Sequence, residues 1–123
     1  MPMRVRTRLL LLFCLASAGC GQTKSTAQLL EDLKSPQESE RIIAVRTLPL
    51  RKGDAAQIVP ALIEALKDKD GDVRRSAAIG LGSFGEQARD AIPALEAAKS
   101  DRDARVREAA GNALSRIDPS KQR

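Results

Sequence analysis

Few side chains in this chain can do chemistry, and each narrows the choice. Cys14 and Cys20 are the only thiols, and there is no histidine, tyrosine or tryptophan. Proton transfer near neutral pH would therefore fall to carboxylates and amines, far from their ordinary pKa values. A metal site would have to be built from carboxylates alone, which restricts it to hard cations. The densest acidic run, Asp68-Lys-Asp-Gly-Asp72, has the acid spacing of a calcium loop. Ala78 stands where its closing glutamate should be. Asp68 and Asp72 read instead as cap and loop charges. No catalytic residue, metal or cofactor is expected, and the chain is not expected to be an enzyme.

What must position these residues is a repeat. The segment from Pro60 to Leu81 returns 33 residues later, from Pro93 to Leu114, with Pro60/Pro93, Leu62/Leu95, Asp68/Asp101, Val73/Val106, Arg74/Arg107, Ala77/Ala110 and Leu81/Leu114 at one offset. A weaker copy precedes it, with Leu29, Leu33, Arg41, Ala44 and Leu48 in the same slots. A fixed period of this length marks units that bury their apolar side against their neighbours.

Each unit reads as two helices. Ser25 and Gln28 form a capping-box pattern ahead of Leu29, Leu30 and Leu33. Ser35 can cap a second helix, with Pro36 in its first turn and Ile42 to Leu48 on its apolar side. A turn over 49–56 leads to helices at about 57–67 and 71–84, and a last pair spans about 90–99 and 104–117. No stretch alternates as a strand does. The fold expected is all-α, a short solenoid of about three helix pairs over 26–117, followed by a polar tail at 118–123.

The stretches Ile58-Val-Pro-Ala-Leu-Ile-Glu-Ala-Leu-Lys-Asp68, Asp72-Val-Arg-Arg-Ser-Ala-Ala-Ile-Gly-Leu-Gly82 and Ala91-Ile-Pro-Ala-Leu95 resemble HEAT repeats, most of all the bacterial bilin-lyase-type HEAT-like units. The resemblance covers about 27–117. It implies that prolines 60 and 93 preorganise the opening turn of each first helix, and that the Ala pairs at 77–78 and 109–110 let helices approach closely. It also implies that Asp68, Arg74, Asp101 and Arg107 form a hydrogen-bonded ladder between units, a role that suits a planar guanidinium. Unit one departs from the pattern, with Ser35 for the Asp, Glu40 for Val73 and Pro49 for Gly82. What matches is the scaffold, so no lyase activity is expected from it. In such stacks the second helices line the binding side. The columns Ile42-Arg75-Glu108 and Arg46-Ile79-Asn112 then give the candidate partner surface: Arg46, Arg75, Ile79, Glu108 and Asn112.

The N-terminus carries an address. Arg4, Arg6 and Arg8 precede an apolar run, Leu9 to Ala18, that is too short to span a bilayer. Leu15-Ala16-Ser17-Ala18-Gly19-Cys20 resembles a bacterial lipoprotein signal. That resemblance implies cleavage of residues 1–19, lipidation of Cys20 and membrane attachment through acyl chains, each buried methylene adding about 0.8 kcal/mol. Gly21 after the cysteine resembles outer-membrane sorting. The linker to Ser25 would reach roughly 15–20 Å at about 3.3 Å per residue. The alternative is an A-x-A site, Ala16-Ser17-Ala18, and a soluble secreted protein.

Removing the three leader arginines from 21 basic groups leaves 18 against 16 acidic ones, about +2. So balanced a charge gives no reason to expect nucleic acid. With Cys14 in the leader, Cys20 has no partner for an internal disulfide. The function expected is a lipid-anchored scaffold for protein–protein interaction in the bacterial cell envelope. The alternatives are a secreted or self-assembling repeat protein, or an accessory subunit of an envelope enzyme.

Overall fold

The computed structural model describes residues 23–122. The leader, Cys20 and the cleavage site lie outside those residues. Among the described residues six α-helices succeed one another: α1 (Thr26–Asp32), α2 (Glu38–Thr47), α3 (Ala55–Ala65), α4 (Gly71–Phe84), α5 (Ile92–Ala98) and α6 (Ala104–Ile117). No strand occurs among the described residues, and no helix there is long and apolar enough to cross a membrane.

Helices pair as α1/α2, α3/α4 and α5/α6, and the second helices stack in a row, α4 packing against both α2 and α6. Their apolar residues recur at helical spacing. Val73, Ala77, Ala78, Leu81 and Phe84 of α4 are buried, as are Val106, Ala109, Ala110, Ala113 and Ile117 of α6. Ile58, Leu62 and Leu95 close the core from the first helices. Burial of each Leu or Ile contributes about 1.5–3 kcal/mol. Small residues set how close the helices come. A Cβ built on Gly82 would lie 2.9 Å from the Ala113 Cα, and one on Gly80 would lie 2.6 Å from the Pro49 ring.

The helix ends are specified locally. Ser25 Oγ accepts from the Gln28 amide at 3.2 Å while Gln28 Oε1 accepts from the Ser25 amide at 2.8 Å, a complete capping box. Asp70 caps α4 by accepting from the Asp72 and Val73 amides at 2.8 and 3.1 Å. Asp103 caps α6 by accepting from the Arg105 amide at 2.9 Å. Gly85, with φ 58°, ends α4 in a backbone shape that favours glycine.

Two expectations need correction, and one departure from the repeat has a structural consequence. Ser35 does not cap α2: its Oγ accepts from the Gln37 amide at 3.1 Å, and the helix begins at Glu38 with no side-chain cap. Pro60 lies inside α3, because Ala55 and Ala56 start that helix earlier; only Pro93 sits in an opening turn. Pro49 does not simply stand in for a glycine. Lacking an N–H, it cannot continue α2, which stops at Thr47 and passes into a 3₁₀ turn at Leu48–Leu50. α2 thus has 10 residues where α4 and α6 have 14.

Candidate functional site

At one edge of the stack, arginines bind the units together. Arg74 Nε and Nη2 donate to the two Asp101 carboxylate oxygens at 2.9 and 3.1 Å. Its Nη1 donates back to the carbonyls of Asp68 and Lys69 at 2.8 and 3.2 Å. Arg41 repeats this one unit earlier, with Asp68 Oδ2 at 2.9 Å, Asp68 Oδ1 at 3.4 Å and the Ser35 carbonyl at 2.9 Å. Both guanidinium groups are buried, and both aspartates nearly so. The Arg74 fork holds the Asp101 carboxyl below its ordinary pKa. Arg107 donates to the carbonyls of Asp101 and Arg102 at 2.7 and 3.3 Å and makes no ion pair among the described residues.

The pairing therefore runs from the arginine of one unit to the aspartate of the next, 27 residues on. Within a unit, Arg74 and Arg107 reach the backbone carbonyls of Asp68 and Asp101, not their carboxylates. Arg41 is the rung that the reading from sequence left out. Its slot, matching those of Arg74 and Arg107, carried the signal.

The acidic run at 68–72 is occupied from within. Arg41 holds Asp68, the α4 amides hold Asp70, and Arg105 Nη1 meets Asp72 at 2.9 Å. Backbone amides, that of Val73 foremost, hold the Asp70 pKa down. No group of three or more potential metal ligands gathers among the described residues.

The second-helix face is different in kind. Arg46, Arg75, Ile79, Glu108 and Asn112 are all exposed and lie on two adjoining grooves. Arg75, Ile79, Glu108 and Asn112 line a groove of about 290 Å³ between α4 and α6. Arg46, Arg75 and Ile79 line another of about 540 Å³ between α2 and α4, floored by Val45 and Pro49. The second groove, beside the shortened α2, is the more voluminous of the two. Leu50 and Ile79, 79 and 47% exposed, both line the second groove, two large aliphatic side chains open to solvent on one small face. Ile42, placed in a surface column by the offset of 33, is half-buried against the core; Ile43 faces out instead.

Charge on this face is one-sided. Arg105 is neutralised by Asp72 and by Asp103, whose own carboxyl it pulls down to about 2. Arg46, Arg75 and Arg116 make no ion pair among the described residues, and Glu108 is the sole acidic residue lining either groove. Lys52 Nζ donates to the Ser83 carbonyl and hydroxyl at 2.9 and 2.7 Å and lies 4.2 Å from the Phe84 ring centre. Desolvation lowers its pKa. Leu50, Lys52 and Arg116 were not singled out from sequence, because the turn and the end of α6 have no well-matched counterparts in the other units.

Paired helices stacked with a ladder along one edge match a known family profile, HEAT repeats, over residues 26–119. The chain belongs to the HEAT-repeat family. Among solved structures it is similar to a chain in the complex of CpcE and CpcF of phycocyanin lyase from Nostoc sp. PCC7120, with 31% sequence identity and a TM-score of 0.71. The match covers 81% of this chain and 40% of that one, so this HEAT-repeat chain spans less than half the length of its relative. No curated protein matches. The lyase match corrects the expectation that the chain is not an enzyme. A similar HEAT-repeat scaffold does serve in a lyase complex.

Proposed function

We propose that this chain is a HEAT-repeat module that binds a protein partner through its second-helix face while tethered to the bacterial envelope by lipid on Cys20. One observation carries the binding part. Exposed Leu50 and Ile79 line the same groove as Arg46 and Arg75, which make no ion pair among the described residues, and the ladder does not use this face. Apolar residues ringed by polar ones, on a rigid scaffold, are the usual make-up of a protein-docking surface. The tether rests on the lipoprotein-like segment ending at Cys20 and on the short linker after it.

Crosslinking in intact cells, with subsequent isolation from membranes, tests both parts. Wild type is expected in the membrane fraction, crosslinked to a partner through α2, α4 and α6. Cys20→Ser is expected to leave the membrane. Retention of that variant would overturn the tether, and crosslinks confined to α1, α3 and α5 would overturn the docking face.

Similarity to a chain from a lyase complex favours a second reading, in which the module works as one part of a lyase assembly. Co-purification of a second HEAT-repeat subunit with lyase activity would select it over a stand-alone scaffold.

A further inference from the structure

We infer that the second-helix face recognises an acidic, aliphatic segment of its partner, an inference that rests on the protein-binding reading above. The α2–α4 groove has an apolar floor, from Val45, Pro49 and Ile79, and a basic rim, from Arg46, Lys52 and Arg75. No acidic residue lines it. Arg75 and Ile79 also line the α4–α6 groove, so the two form one continuous track across three helices. With helix axes about 8–10 Å apart, that track is roughly 20 Å long, or about six extended residues.

Charge decides the occupant. A segment crossing the track meets Arg46, Arg75 and Arg116, which make no ion pair among the described residues, with Glu108 the one acidic residue of the lining. Carboxylates placed between guanidinium groups find bidentate partners, while leucine or isoleucine side chains fill the floor. A flat anionic bilayer would meet the exposed Leu50 and Ile79 but not the buried Val45 and Pro49 beneath them, which only a segment laid into the groove can contact. Single-stranded nucleic acid would need stacking platforms, and the one aromatic residue among those described, Phe84, is buried.

Fluorescence anisotropy of the purified protein with labelled twelve-residue peptides tests this directly. The probe alternates Glu with Leu; one control carries Gln for every Glu, and a second carries Ala for every Leu. The Glu/Leu peptide should bind, weaken as salt rises, and exceed both controls by about tenfold or more. Arg75→Glu and Ile79→Ser should each weaken it severalfold, Arg75→Lys should weaken it less than Arg75→Glu does, and Lys67→Glu on the outer face should leave it unchanged. All these positions are exposed, so melting curves should match wild type and separate lost binding from lost folding.

Equal binding of the Gln peptide, indifference to Arg75→Glu, or displacement by phosphatidylglycerol vesicles would overturn the inference. If a cellular partner crosslinks to this face through a basic or neutral segment, the acidic assignment falls and the protein-binding reading stands. If no protein crosslinks to this face, both fall.

Discussion

The two seams of this stack are built from one repeated template and end up unlike each other. Between α4 and α6 the helices are equally long, and Gly82 lets Ala113 approach so closely that a Cβ would sit 2.9 Å from its Cα. Between α2 and α4 the helices are unequal. Pro49 stops α2 four residues short of the length of its counterparts, and its ring fills the space over Gly80. The ladder rung is nearly the same in both, Arg41 to Asp68 and Arg74 to Asp101. Register is thus fixed by the arginines, and closeness by the residues toward the C-terminal end of each second helix. A repeat can keep its stacking while varying one end of a helix to open a groove.

The largest effect should come from breaking a rung. Asp101→Ala leaves the buried Arg74 guanidinium without its carboxylate and is expected to cost about 3 kcal/mol. Adding Arg74→Met should recover part of that loss. Asp68→Ala should cost a similar amount if the two seams share their register mechanism, and urea denaturation of wild type and these variants checks it. A loss under about 0.5 kcal/mol for Asp101→Ala would place the rung among surface ion pairs and deny it any part in fixing register.

Glycine substitutions test closeness in the next range of effect. Gly82→Ala should destabilise by about 1–3 kcal/mol, because its new methyl meets backbone that has no room to yield. Gly111→Ala, in α6 with nothing within 4 Å of the added carbon, should stabilise by about 0.5–1 kcal/mol. Opposite signs in thermal melts support a seam set by contact; matching signs would mean that helix propensity alone governs both sites.

Acid should sharpen the contrast most gently. Asp101, Asp70 and Asp103 have folded-state pKa values below the ordinary range, through Arg74, the Val73 amide and Arg105 respectively, and that of Asp103 falls to about 2. Their stabilisation is complete above the unfolded pKa, near 4, and is lost as pH falls through the folded values. The urea midpoint should therefore drop between about pH 4 and pH 2. For Asp101→Asn the drop should be shallower, and superimposable profiles would exclude Asp101 as a contributor.

The period of 33 made the three helix pairs legible, since a recurring apolar slot needs a recurring neighbour. The capping box at Ser25 and Gln28 was equally plain, because both partners lie within one turn. That the ladder runs between units followed from the resemblance, but its membership did not. Arg41 opens the ladder toward Asp68, while Arg107, in the last unit, has no following aspartate and meets only backbone carbonyls. Which arginine finds a carboxylate depends on the neighbour stacked after it, not on the distance along the chain. The start of α3 was misplaced for a similar reason: Ala55 and Ala56 are good helix formers, and a proline five residues in does not prevent an earlier start. Which face outside the core carried large exposed side chains depended on the turn after Pro49, for which no other unit supplies a copy.

The position of the ladder has a mechanical meaning. Arg41 and Arg74 lie near the N-terminal ends of α2 and α4, whereas Pro49, Leu50 and Lys52 lie beyond the C-terminal end of α2. The first seam is thus fastened at both ends by side chains of opposite character, the Arg41–Asp68 ion pair at one and the Lys52–Ser83 hydrogen bonds at the other. Between these fastenings lies an apolar stretch, with Ala44, Val45 and Leu48 fully buried. A seam pinned at its two ends in this way fixes the angle between helices as well as their register, much as two nails hold a board where one would let it turn.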